Sequence, residues 1–341
     1  KKHNLFFQKS IINMIISQTP HRISFFGGGT DYPSYYLKYG GKTLGVAIDK
    51  YCYLSVRQFP PFFSHKHRIV YSEQENVNEI EEIRHPSVRE VLKYVGIKYG
   101  ISIHHDGDIP ARSGMGSSSA FTVGLLKSVY ALEGKIISKE KLMKEAIHIE
   151  QDCIGENVGS QDQVFASFGG LNLVEFSTSG EISVEPVIMQ KSRLIELESN
   201  LLLYFSGISR IASEIAAEQI KNTTKNLQYL NSIKSLVTEG YNVLTNPNRS
   251  LDEFGFLLNQ TWQLKKRLSD KITNSEIDKL YEKGLKHGAI GGKLLGAGGG
   301  GFVLFYVKKE KQKKFREKMS SYLEIPFKFD FDGSKIIVYQ P

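Results

Sequence analysis

The chain of 341 residues is 40% hydrophobic, with two cysteines and a formal net charge of +8, which is apolar material enough for two moderate domains. No apolar run approaches the roughly 18 residues needed to cross a bilayer, and no secretory h-region precedes a small-residue cleavage site, so a soluble, cytoplasmic protein with no membrane partner is expected. Much of the positive charge falls in Lys308-Lys309-Glu310-Lys311-Gln312-Lys313-Lys314 and Arg316; this mixed run reads as a solvated helix face and, without interleaved aromatics, argues against a nucleic-acid partner.

In chain order, the stretch before Met14 contains Asn4-Leu5-Phe6-Phe7-Gln8, which looks like a protease-site remnant. Residues 1–13 are therefore expected to be a tag or an expendable extension. β-Branched and aromatic enrichment predicts strands at 15–17, 23–26, 51–59, 68–71 and 101–104. Ser87 with Glu90 reads as a capping box opening a helix that runs to about Tyr99. A further helix is predicted over 139–153, with Leu142, Ala146, Ile149 and Cys153 on one stripe and Glu150 off its centre. Strands at 171–176 and 201–205 follow, with a turn at 177–180 between them. Cys52 and Cys153 have no partner at metal-ligand spacing and are expected to be reduced, buried, structural thiols.

The domain boundary is placed near residue 195, giving an N-terminal domain over 14–195 and a second over 196–341. The second half is helix-rich, with three-to-four spacing over 211–220, 227–244, 251–268 and 275–287, and strands return at 302–307 and 336–339. Both halves read as α+β, with a ligand in the cleft between them.

Three glycine-rich segments carry the chemistry. Arg112-Ser113-Gly114-Met115-Gly116-Ser117-Ser118-Ser119 opens directly into a helical pattern at Phe121, Leu125, Val129 and Leu132. Small residues bring backbone N–H groups close together, and a helix N-terminus adds unpaired donors and a favourable dipole, so the loop suits a phosphate. It is not a Walker P-loop, which needs a lysine where Ser117 stands. The serines are expected to cap the helix and to offer a hydroxyl to Mg2+. Earlier, Pro20 to Tyr32 is an apolar run ending in Gly27-Gly28-Gly29-Thr30-Asp31. Later, Lys293-Leu294-Leu295-Gly296-Ala297-Gly298-Gly299-Gly300-Gly301 precedes the strand-like Phe302 to Val307. Both are strand-adjacent glycine turns suited to backbone approaching a ligand.

In order and spacing these segments resemble the three motifs of the GHMP kinases, over about residues 15 to 307. The resemblance implies a two-domain α+β fold: an N-terminal domain like ribosomal protein S5 domain 2, a ferredoxin-like C-terminal domain, and an active site between them. It implies ATP and Mg2+ as cofactors and a sugar as acceptor. Where the galactokinases carry a Glu-His pair this chain has Gly28-Gly29, a difference shared with the heptose 7-phosphate kinases of the family. That branch implies phosphorylation of the anomeric hydroxyl to a 1,7-bisphosphate, feeding nucleotide-activated heptose for bacterial surface polysaccharide. A galactokinase- or fucokinase-like sugar kinase and a non-catalytic sugar sensor are the alternatives, and oligomeric state stays open.

Residue by residue, the resemblance makes Asp162 the general base or orienter of the attacking hydroxyl and Arg22 its cationic neighbour. Residues 112–119 would hold the ATP phosphates, while Ser118 and Glu150, twelve positions before Asp162, would ligate Mg2+. Gly28, Gly29, Thr30, Asp31, Gly298 and Gly299 would bind the substrate. A distal phosphate would call for a further cation, with Arg112, Arg210, Lys293 and the cluster Lys66, His67 and Arg68 as candidates. The pairs His65 with His67 and His104 with His105 show no metal pattern.

Overall fold

The computed structural model describes residues 14–111, 113–208 and 212–340. The presumed extension 1–13 and the candidates Arg112 and Arg210 lie outside the described residues. The N-terminal half begins β1 (Met14–Phe26), α1 (Pro33–Tyr39), β2 (Gly41–Gln58), β3 (His67–Val70) and β4 (Gln74–Val77). It continues through α2 (Pro86–Val95), β5 (Ile101–Gly107), α3 (Ser117–Leu132), α4 (Lys139–His148), α5 (Gln161–Phe168), β6 (Leu171–Phe176) and β7 (Ile182–Pro186). The second half runs α6 (Lys191–Asn200), β8 (Leu201–Phe205), α7 (Ala212–Lys221), α8 (Leu227–Thr245), α9 (Asp252–Lys265) and α10 (Ser275–Lys286). It closes with β9 (Gly291–Leu294), β10 (Phe302–Tyr306), α11 (Gln312–Met319), β11 (Leu323–Glu324) and β12 (Lys335–Gln340).

The long strand β2 is the spine of the larger sheet. One edge pairs with β1 along its length, while the other takes β6 on residues 41–46 and β5 on residues 52–58. The sheet order is β12-β1-β2-β5-β3-β4, extended by β6 and β7, and the smaller sheet is β11-β8-β10-β9. The predicted pieces 15–17 and 23–26 are one continuous strand. Pro20 is accommodated because the β1–β2 register shifts immediately after it and because β12 pairs only with residues 14–18.

Strand β12 corrects the expected division of the chain. It pairs with β1, so the last strand of the presumed second domain belongs to the first sheet. The two layers also share one apolar core: Phe25 and Phe26 of β1 meet Phe254 of α9 edge-on, at centroid distances of 5.1 and 5.0 Å. Each such pair contributes about 0.5–1.5 kcal/mol beyond its burial. The end of β1 is therefore fixed from both sides, and the glycine loop that follows it inherits that rigidity.

Helix α3 is buried nearly all round, from Ala120 and Phe121 through Leu125, Leu126 and Val129. It presses on β1 at Gly124, where a Cβ would stand 2.7 Å from Thr19 Oγ1; the Gly124 carbonyl instead accepts a hydrogen bond from Ser17 at 3.1 Å.

Three local expectations are corrected. Ser87 caps nothing: His85 is the N-cap, Pro86 takes the first turn, and the Ser87 hydroxyl accepts from Thr122 at 3.2 Å. The helix expected through residue 153 ends at His148 and passes into a π-helical turn over Ile149–Cys153, which leaves Cys153 exposed while Cys52 is buried.

Candidate active site

Arg22 and Asp162 form the centre. The guanidinium donates from Nε to Asp162 Oδ1 and from Nη2 to Oδ2, both at 2.8 Å, and from Nη1 to the Gly114 carbonyl at 2.7 Å. Its side chain is 6% exposed and that of Asp162 25%, so a bidentate, charge-assisted pair sits at the edge of a cleft with one face of the carboxylate toward solvent. The same residue ties its strand to the phosphate-type loop a second time, through Arg22 N–H to Met115 O at 3.2 Å. Gly116, in the left-handed region at φ 75°, brings the loop so near that a Cβ there would lie 3.3 Å from Asp162 Oδ2. A side chain would crowd the carboxylate and strain the turn.

The first turn of α5 distributes three consecutive side chains to two carboxylates and a guanidinium. Gln161 donates to Asp31 Oδ2 at 2.9 Å, Asp162 holds Arg22, and Gln163 donates to Glu150 Oε2 at 2.5 Å. A helix rotates each residue about 100° from the last, so one turn can address three directions. Asp31 also accepts from Gly29 N–H at 2.9 Å. Burial, and then the charge of Asp162, push its carboxyl above the ordinary range.

Glu150 is fully buried on the π-turn, the opposite of an ordinary exposed helical glutamate. Ser119 donates to its Oε2 at 2.8 Å, and Oε1 has no hydrogen-bond partner among the described residues. Burial pushes its pKa up to about 7 against the lowering effect of nearby hydroxyls.

The three glycine segments thus converge. Gly114 of the phosphate-type loop abuts Gly296, where a Cβ would be 2.4 Å from Gly114 Cα, and Gly301 abuts Ser113. The sequence from 84 to 170 matches the GHMP kinases N terminal domain, and that from 242 to 325 the GHMP kinases C terminal. A D-glycero-alpha-D-manno-heptose 7-phosphate kinase from Campylobacter jejuni is 31% identical over 94% of this chain and 98% of its own. The chain belongs to the GHMP kinases. It is accordingly an ATP-dependent sugar kinase.

Among other relatives of this GHMP kinase, the bifunctional fucokinase/GDP-fucose pyrophosphorylase of Arabidopsis thaliana is 27% identical over 91% of the chain, which spans only 32% of that protein. The crystal structure of a D-glycero-D-manno-heptose 1-phosphate kinase from Bacteroides thetaiotaomicron superposes with a TM-score of 0.77 at 23% identity, covering 94% of this chain and 97% of the other. Lactococcus lactis galactokinase, complexed with galactose, gives 0.69 at 19% identity, covering 95% and 94%. These two likenesses speak to the shared fold.

The kinase's other candidate residues divide. Ser117, Ser118 and Ser119 do not cap α3; Gly116 is the N-cap and the serines form the first turn. The first intrahelical bond runs from Ala120 N–H to Gly116 O, which leaves the preceding N–H groups available to an anion. Ser119 rather than Ser118 hydrogen-bonds Glu150, while the exposed Ser118 lies against Glu156. Thr30 is buried, its hydroxyl within donating distance of the Gly27 and Lys42 carbonyls, which staples the turn. Gly28 and Gly29 border the Asp31–Gln161 pair, with Gln219 of α7 and Leu230 of α8 opposite Gly29. Gly299 N–H is bonded to Ile272 O, and Gly298 packs on Ile272, so this stretch is braced from behind. Lys66, His67 and Arg68 lie at and along β3, with Arg68 held 4.8 and 4.9 Å from the Phe59 and Phe63 rings.

Gln161 and Gln163 are functional residues that motif reading passed over; the only available signal was that they flank Asp162 within three residues. Glu150 yields a prediction. A carboxyl whose folded pKa is raised favours the folded state below its unfolded pKa and loses that benefit as pH climbs toward 7. In metal-free protein Glu150→Gln should remove a stability decline of about 3 kcal/mol between pH 4.5 and 7. Urea melts at pH 5 and 8 measure it, and equal pH slopes in the two proteins would refute the assignment.

Proposed function

We propose that this GHMP kinase transfers the γ-phosphoryl group of ATP to the anomeric hydroxyl of D-glycero-D-manno-heptose 7-phosphate, giving the 1,7-bisphosphate, in the cytoplasm and toward nucleotide-activated heptose. The reaction rests on the bidentate Arg22–Asp162 pair standing between the sugar-type loop and the phosphate-type loop. The choice of sugar rests on the similarity to the Campylobacter jejuni enzyme and on the Gly28-Gly29 pair.

Asp162 would accept a hydrogen bond from the attacking hydroxyl through the lone pairs that Arg22 leaves free. An ordinary aspartate titrates near pH 4, far below a sugar hydroxyl. The proton therefore moves as the new O–P bond forms, in a loose transition state, rather than beforehand. Arg22 keeps the carboxylate oriented and offsets charge at the reacting centre. Asp31, aimed by Gly29 and Gln161, would accept from neighbouring sugar hydroxyls. The buried, unpartnered Glu150 Oε1 with the Ser119 and Ser118 hydroxyls offers the hard oxygen donors that Mg2+ prefers. A bound Mg2+ would supply neutralisation of phosphate charge.

Among the candidates for the distal phosphate, Lys293 is bonded to backbone carbonyls and Arg68 is held against two rings, while Lys66, His67, Arg112 and Arg210 stay open for that role.

Incubation with MgATP and a panel of heptose 7-phosphate, heptose 1-phosphate, galactose, fucose and mannose tests the reading. Phosphorus NMR should show a new anomeric phosphate only with the heptose 7-phosphate; turnover of another acceptor in its place would overturn the choice of sugar. Asp162→Asn should lower kcat by about 10²–10⁴-fold with little change in the KM for ATP, and near-wild-type turnover would remove Asp162 from the chemistry. At Gly28 a Cβ would meet only ordinary contacts, 3.9 Å from Gln161 Nε2 and Ser24 Oγ. Gly28→Ala should therefore raise the sugar KM with an unchanged melting temperature. Gly29→Ala, at φ 99°, should instead cost about 1–2 kcal/mol of stability. Identical behaviour of the two variants would show that Gly28 does not face the sugar.

A further inference from the structure

Two lysines beneath the site have no part in the chemistry just described. Lys293 of β9 is 3% exposed and Lys265, the last residue of α9, is 6% exposed. Lys293 Nζ donates to the carbonyls of Ser24 at 2.8 Å and Phe25 at 2.9 Å, two and three residues past Arg22 on β1. Lys265 Nζ donates to Leu294 O at 3.2 Å and to the carbonyl of Gly296.

These contacts close a ring. Arg22 binds the Gly114 carbonyl, Gly114 abuts Gly296, and Lys265 holds the Gly296 carbonyl. Lys293, one residue before Leu294, returns to the strand that carries Arg22. The ring includes the catalytic cation, the phosphate-type loop, the third glycine loop and the root of the sugar-type loop.

A purely structural role does not account for it. Removing an ammonium group from water costs several kcal/mol, and apolar residues of similar volume often fill such sites with equal or greater stability. An ammonium supplies what a methyl cannot: several donors that fix carbonyl oxygens in direction as well as distance. Both groups are placed where they feel the charges of Arg22 and Asp31. Burial, then Arg22, brings Lys265 down to about 7, with Asp31 opposing, and burial, then Lys265 and Arg22, holds Lys293 well below its ordinary value.

We infer that Lys265 and Lys293 are positioning residues for phosphoryl transfer, clamping the sugar-type loop and the phosphate-type loop at a fixed separation across the domain junction. The inference rests on the kinase activity and is independent of which sugar is accepted.

The test uses the full chain carrying Lys293→Met, Lys265→Met, Lys293→Gln or Lys265→Gln. Kinetics are read on whichever sugar the wild type phosphorylates. Hydrogen–deuterium exchange of residues 22–31 and 113–120 is read without ATP or sugar. A misplacement of about 1 Å is enough to cost two orders of magnitude in rate. Each Met variant should therefore lower kcat about tenfold or more while changing the KM for ATP by less than about threefold, and exchange should accelerate in both segments. The Gln variants, which retain N–H donors, should recover part of kcat. Folded Met variants with kcat within about twofold of wild type, or with unaltered exchange, would overturn the clamp. If a Met variant fails to fold, the Gln variant at that position decides by the same exchange and kcat criteria. Because exchange needs no substrate, it decides the clamp even if no sugar in the panel is phosphorylated.

Discussion

Everything at this site is referred to the Arg22–Asp162 pair. A bidentate guanidinium–carboxylate contact fixes both planes at once, and here it links a strand to the first turn of a helix 140 residues later. The third guanidinium nitrogen reaches the Gly114 carbonyl, so the same group sets the phosphate-type loop. Losing either partner would leave the other stranded at the edge of the core, a loss on the order of 3–5 kcal/mol for a buried pair. The pair is therefore a folding constraint as well as a chemical one, joining β1, the first turn of α5 and the Gly114 carbonyl.

Helix α5 converts that constraint into an active-site layout. Its first turn sends Gln161, Asp162 and Gln163 to Asp31, Arg22 and Glu150 in succession. Small rotations of this turn would disturb Asp31, the ion pair and the buried glutamate together. Phe165 of the same helix is fully buried, so core packing holds the rotation. Glu150 sits buried on the π-turn at 149–153, and π-bulges recur at functional sites.

How much of this could be read from the chain divides along the range of the interaction. The glycine segments, the helix after the phosphate-type loop, Arg22 and Asp162 were visible because each is a local pattern in recognisable order. Strand β12 was visible as a strand but not as a member of the first sheet, because pairing between residues 14–18 and 335–340 leaves no mark on either segment alone. Cys153 was misplaced because a 3.6-residue period was extended through a turn that does not keep it. Ser87 followed the capping-box spacing, yet Pro86 occupied the first turn and tertiary contact with Thr122 claimed the hydroxyl. Lys293 was legible only as one candidate cation for a distal phosphate and Lys265 carried no local signal, and only the packed structure shows both pointing inward.

The charges of the assembled site place these inward lysines within reach of Arg22 and Asp31. Arg22, Lys265 and Lys293 are nearly withdrawn from water, as are Asp31 and Glu150, with Asp162 partly open. Arg22 and Asp31 both bear on the two lysines, in a region where the effective dielectric is far below that of water. A phosphoryl group entering this region adds negative charge that the protein's own ions only balance among themselves. The unpaired N–H groups at the start of α3 carry no counter-charge of their own and suit that added charge. Glu150 Oε1, buried and without a hydrogen-bond partner among the described residues, is the carboxylate oxygen left open beside that helix start.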